Sequence, residues 1–324
     1  MKIEHTKSIK KLNKRNIPRQ WQDRFFDPVI QWMYAAQNIP DRAIIVSNMS
    51  GKFQLHAHDF SAGYDRQITK KTNGALFGSI STNGEYIYYL DDQTGDEHGH
   101  FIRVPFSGGQ VVDMTPNVPP FFSYSVSSSK FNNFLCFTAA FSKENHVYLV
   151  SCKVSGEPNT PKLIYKSTQS ISEPLMASDG SYTCIAISEH KKNWSKLALI
   201  KNKNGREKRF SFRIKGLCIP LAFSKDNQSP VVLALSNASG KYRPALYDFK
   251  NRCASEITSV HFRGDVFVLA WNEERSDLLV CDMHKCNHRL FLYNLQTKKV
   301  VRVGPTEGSF DLFFGSAVLR ADQS

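Results

Sequence analysis

One pattern recurs six times along this chain at intervals of about 48 residues, and starts again just before residue 324. A tight polar turn leads into an apolar run, then a looser polar loop, a second apolar run and a short closing segment. The turns centre near Gly84, Asn132, Gly180, Asn227, Arg275 and Gln323. A repeat of this length built from short strands predicts a β-propeller. No stretch of helical periodicity interrupts the series, so the expected fold is all-β. The expected architecture is six four-stranded blades plus the first strand of a truncated seventh.

Individual strands can be read within the repeats. In the first, residues 29–34, 43–47, 53–58 and 66–69 read as four strands around the Asn38-Ile39-Pro40-Asp41 turn. Phe53, Leu55 and Ala57 alternate with Gln54, His56 and His58, the period of a sheet with one buried face. In the second repeat, residues 76–81 enter, Thr82-Asn83-Gly84-Glu85 turns, and residues 86–90 are wholly apolar. Continuous apolar strands predict burial on both faces, as in a blade held between two neighbours. The domain division is a basic extension over residues 1–26 and a propeller over 27–324, incomplete at its C-terminal end.

Charge and cysteine content narrow the functional classes. The net charge is +13, from 42 basic and 29 acidic residues. Residues 1–24 and 191–215 carry much of the excess. A basic surface attracts nucleic acid, but no nucleic-acid module accompanies it, so these stretches read as solvated surface. No apolar run reaches the roughly 20 residues that span a bilayer, which argues against a membrane partner. The N-terminal stretch has no apolar signal region. The seven cysteines, Cys136, Cys152, Cys184, Cys218, Cys253, Cys281 and Cys286, show no disulfide framework. Together these features point to the cytoplasm.

Several segments resemble a known family. Leu90-Asp91-Asp92-Gln93-Thr94-Gly95-Asp96-Glu97, Ile102-Arg103-Val104, Gly108-Gly109 and Asp113-Met114-Thr115-Pro116 are similar to the propeller of acylaminoacyl-peptidase-like members of the prolyl oligopeptidase family. Asp41-Arg42, Val46-Ser47-Asn48, Ser50-Gly51 and Gln67-Ile68-Thr69 resemble the preceding blade. The resemblance implies a propeller that gates access of peptides to a serine peptidase. In that family the nucleophile lies in a G-x-S-x-G elbow of an α/β-hydrolase domain. No such motif occurs here: Gly74-Ala75-Leu76-Phe77-Gly78 has the glycines with Leu at the nucleophile position, and Gly315-Ser316-Ala317 is not an elbow. No catalytic residue of the family can therefore be carried onto this chain.

Three clusters stand out as candidate ligand sets. Asp91, Asp92, Asp96 and Glu97 offer oxygen ligands, but without the spacing of a twelve-residue calcium loop. Cys281, His284, Cys286 and His288 place soft ligands close together, with the histidines expected in a connection between strands. His56, His58, His98 and His100 lie in adjacent repeats without a positioned nucleophile. Phe121, Phe122 and Tyr124 read as packing between blades. The sequence assigns no catalytic residue, no cofactor and no metal. The expected function is that of a non-catalytic, substrate-gating propeller of a prolyl oligopeptidase-family serine peptidase, a truncated or split gene product. Its expected partners are peptide substrates or a hydrolase domain. The alternative is a stand-alone propeller serving as an interaction scaffold.

Overall fold

The computed structural model describes residues 27–189, 193–202, 210–224, 230–272, 276–305 and 308–309. The basic extension 1–26, the turn centres Asn227, Arg275 and Gln323, and the seventh-blade strand expected over 310–319 lie outside the described residues. Every named element is a β-strand, and no helix is long and apolar enough to cross a membrane among the described residues.

Six antiparallel sheets follow one another in chain order as the blades of a propeller. The first holds β1 (Ile30–Ala35), β2 (Arg42–Ser47), β3 (Gln54–Asp59) and β4 (Tyr64–Gln67). The second holds β5 (Ser79–Ile80), β6 (Tyr86–Asp92), β7 (Gly99–Pro105) and β8 (Val112–Asp113). The third holds β9 (Ser127–Ser128), β10 (Phe134–Ala140), β11 (Asn145–Ser151) and β12 (Lys162–Ser167). In the fourth, the first strand is in two pieces, β13 (Ser170–Ile171) and β14 (Leu175–Met176). Both pair with β15 (Tyr182–Glu189), which is followed by β16 (Trp194–Lys201) and β17 (Phe210–Lys215). The fifth holds β18 (Cys218–Phe223), β19 (Val231–Ser236), β20 (Arg243–Asp248) and β21 (Cys253–Glu256). The sixth holds β22 (Asp265–Asn272), β23 (Asp277–His284), β24 (Asn287–Asn294) and β25 (Val300–Val303).

The turns have the geometry their residues imply. Gly84, Asn132 and Gly180 all have positive φ, at 68°, 56° and 75°. At Gly180 an added Cβ would lie 2.5 Å from the Phe134 ring of the preceding blade. Glycine is therefore required both for its conformation and for close approach. The turn backbones also link one blade to the next. Asn38 N–H donates to Thr82 O (2.9 Å), and Lys130 N–H donates to Ser178 O (2.7 Å).

Five apolar cores join successive blades. Trp32, Ile44 and Leu55 of the first meet Ile87 of the second. Tyr88 and Phe101 meet Leu135 and Phe137 of the third, with Phe121 between them. Cys136 and Val147 pack with Ile185 and Ala198 of the fourth. Leu197 and Leu199 pack with Val232 and Tyr247 of the fifth, and Leu233 packs with Val266 and Val280 of the sixth. Among the described residues no such cluster joins the sixth blade to the first. Phe121 stacks on Phe137 at 5.0 Å, in agreement with the packing role expected for it.

Two strand readings need correction. Only Ser79–Ile80 of the expected 76–81 strand is paired as a strand. The Leu76 carbonyl instead accepts a hydrogen bond from Trp32 Nε1 (2.9 Å), which ties this segment to the neighbouring blade. Burial along β6 is also uneven: Ile87 and Tyr88 are fully buried, whereas Tyr86, Tyr89 and Leu90 are partly open.

Removing a ring from a junction should cost far more than removing one from the surface. Phe137→Ala should destabilise the protein by about 3–5 kcal/mol, whereas Phe131→Ala, at a 74% exposed site, should be near neutral. Urea denaturation followed by circular dichroism measures both.

Candidate functional site

The first strands of the blades line the axis, because successive first strands touch: β1 meets β5, β9 meets β14, and β14 meets β18. Side chains stitch them together. Ser79 Oγ accepts from Val126 N–H (3.2 Å), and Ser127 Oγ accepts from Met176 N–H (3.1 Å). Within this ring lies a cavity of about 520 Å³, lined among the described residues by Trp32, Tyr34, Phe77, Tyr124, Ser125 and Glu173 with small neighbours. Its volume falls within the ~300–1,000 Å³ typical of small-molecule sites. Four successive blades contribute to it.

Trp32, Phe77, Ser125 and Glu173 recur one repeat apart in the chain. The fourth blade therefore places a carboxyl where its neighbours place rings or a hydroxyl. Glu173 lies in the gap between β13 and β14, where Pro174 supplies no N–H to continue the ladder. Ser172 bridges the gap by donating its backbone N–H to Ala186 O (2.8 Å) and accepting from Ala186 N–H through Oγ (2.9 Å).

The Glu173 carboxylate accepts from Ser125 Oγ (3.1 Å) and from the backbone N–H groups of Tyr124 and Ser125. Desolvation nevertheless outweighs these bonds and pushes its carboxyl up to about 7. Burial also raises the nearby Tyr34 phenol. Tyr34, Phe77 and Tyr124 remain 43%, 41% and 51% exposed, large surfaces turned toward open space. A second cavity, of about 140 Å³, lies beside the acidic loop.

The residues singled out by sequence have structural partners. Lys71 Nζ reaches into the acidic loop, 2.6 Å from Asp91 Oδ1 and 2.9 Å from Asp92 Oδ1, and also donates to the Asp92 carbonyl. Asp96 accepts from His98 N–H, and Glu97 donates its N–H to Asp92. The cluster is thus organised around a lysine. His284 and His288 lie in β23 and β24, not in a connection as expected. The turn is only Lys285-Cys286, both with positive φ (52° and 60°), the geometry of a two-residue hairpin. Cys281 is buried while Cys286 is exposed. Among the described residues no three potential metal ligands converge.

His56 Nδ1 lies 3.1 Å from Asp65, with His58 3.5 Å from the same carboxyl, and His100 Nδ1 lies 3.0 Å from Asp113. Each pair links a third strand to a fourth within one blade, and neither bonds a serine among the described residues. His98 bonds the Asp96 carbonyl at 2.8 Å. Phe122 and Tyr124 meet edge to face at 4.6 Å, and Tyr124 also meets Phe77 of the second blade edge to face at 5.2 Å while lining the cavity. In the basic stretch 191–215, the Arg213 guanidinium lies over the Trp194 ring at 4.6 Å. Sequence reasoning missed Glu173. The available signal was a carboxyl interrupting a column of Trp, Phe and Ser one repeat apart.

No protein-family model matches this sequence, and no curated protein matches it. Solved structures do match. The fold is similar to an oligogalacturonate lyase in complex with manganese, with a TM-score of 0.61 and 12% identity over 85% of this chain and 77% of that one. It is similar to a prolyl endopeptidase, with a TM-score of 0.63 and 11% identity over 88% of this chain and 44% of that one. It is also similar to prolyl oligopeptidase B from Galerina marginata, at 0.63 and 10% over 88% and 42%. The protein is a β-propeller. The propeller spans less than half the length of the two peptidases and about three quarters of the lyase. At these identities the likeness is one of fold.

Glu173 should make stability depend on pH. Its native carboxyl holds a proton that an unfolded glutamate loses near its ordinary value of about 4.3. Stability is therefore greatest below that value and falls as pH rises through about 7. Glu173→Gln should remove about 1–3 kcal/mol of this decline, allowing for solvent in the cavity. Denaturation midpoints of both proteins at pH 5 and pH 8 supply the check.

Proposed function

We propose that this propeller is the substrate-gating, non-catalytic portion of a serine peptidase resembling the prolyl oligopeptidase family. The observation that carries this reading is the extent of the structural match. Most of this chain aligns with less than half of each peptidase, so the likeness is confined to a propeller-sized part. The local resemblance around residues 40–120 points the same way. So does the lack of a G-x-S-x-G segment in the sequence. The domain would act by steric selection, its axis and rim deciding which peptides reach a serine held elsewhere. A hydrolase domain or subunit is the implied partner, and the cytoplasm the implied compartment.

A stand-alone propeller is the second reading. It is favoured by the match to most of the length of the lyase. The two readings differ in what should accompany the chain: a hydrolase in the first, a propeller stable by itself in the second.

Purified protein should hydrolyse neither aminoacyl nor acyl-aminoacyl chromogenic substrates, and a fluorophosphonate probe should leave it unlabelled. An open frame downstream of Ser324 that encodes G-x-S-x-G would support the gating role. Turnover by the pure chain that a serine-directed inhibitor blocks would overturn it.

A further inference from the structure

We propose that the axial cavity is a binding site for an organic ammonium ion, its N–H donors taken by Glu173 and its apolar body held among Trp32, Tyr34, Phe77 and Tyr124. Three independent features of the cavity lead there.

The first is the isolation of the carboxyl. Glu173 is the only acidic or basic side chain lining this cavity among the described residues. Its environment consists of desolvation and hydrogen bonds from Tyr124 and Ser125, and among the described residues no cationic side chain acts on it. Elsewhere in the chain a clustered carboxyl has a partner, as Lys71 serves Asp91 and Asp92 and Arg289 serves the buried Asp282. A carboxylate has about four acceptor positions. Three donors come from one short segment, which leaves capacity for a donor arriving from the cavity.

The second is the aromatic lining. Four rings surround a space that also holds this carboxyl. Aromatic rings attract cations held near their faces, most strongly where water is excluded. An anion would be repelled by Glu173. A neutral polar molecule would gain neither the charge-assisted bond nor the attraction to the rings. A bare metal ion would find a single carboxylate, too few ligands for a hard cation.

The third is size. A cavity of about 520 Å³ exceeds what one ammonium group needs. The ligand class is therefore an amine with an attached apolar body, as found in aralkylamines and in the basic or terminal amino groups of short peptides. Entry of such a cation would stabilise the ionised form of Glu173 and displace its proton. The proposal does not rest on the peptidase reading, since the cavity lies within this chain and is tested without any hydrolase.

The test is titration of the full chain, at pH 8 and low salt, with 2-phenylethylammonium, 2-phenylethanol and phenylacetate, followed by calorimetry. The ammonium should bind saturably at one site, at least about tenfold more tightly than the alcohol, and the carboxylate should not bind. Glu173→Gln should weaken the ammonium at least about tenfold without affecting the alcohol. Tyr124→Leu, at an exposed wall position, should weaken it several-fold and provides a second variant if the first fails to fold. Equal affinity for ammonium and alcohol would overturn the proposal. So would an unchanged affinity in both variants, or no saturation by about 50 mM.

Discussion

Each blade of this protein depends on its neighbour to bury a face. A four-stranded sheet of this size cannot shield its own apolar side chains, and among the described residues the five shared cores take residues from both blades at the five junctions between consecutive blades. The repeat length follows from this requirement. Four short strands and their connections make one sheet, and each sheet must present similar faces to the sheets beside it. Where the faces come closest, only small residues fit. An added Cβ at Gly78 would lie 2.7 Å from Ile44 and 2.9 Å from Leu55 of the preceding blade.

Packing of the blades brings the first strands together, and there the chemistry changes. The blade junctions are sealed by aliphatic and aromatic side chains, while the axis is stitched by hydroxyls and an indole N–H. Short first strands leave backbone groups that need other partners, and Ser79 and Ser127 provide them. Pro174 interrupts the fourth of these strands, and Glu173 sits at the interruption. The same irregularity that weakens the strand delivers a carboxyl to the cavity. Its neighbours in the ring, Trp32, Phe77 and Ser125, give it hydrogen bonds and aromatic surface but no counter-charge.

Much of the fold was legible in the residues. The second and third strands were readable because they are apolar, alternating and regularly spaced, and their observed positions differ only at the ends. The short first strands were less legible. Residues 76–78 have strand-like character, yet their hydrogen bonding is diverted to Trp32, 44 residues away. The hairpin at Lys285-Cys286 was missed because neither residue carries the usual Gly or Asn signal for positive φ. His284 and His288 were consequently assigned to a connection. The acidic loop suggested a cation site, but its cation is Lys71, a residue of the preceding repeat whose proximity no local spacing reveals.

By itself the sequence determined the all-β class, the repeat, the glycine and asparagine turns and the lack of a nucleophile elbow, because each depends on residues near one another in the chain. Tertiary structure alone decided which side chains share the axis. Glu173, Ser125, Phe77 and Trp32 meet only when separate blades close around a common centre, and the cost of burying a carboxyl with no counter-ion among the described residues arises only once that centre has formed.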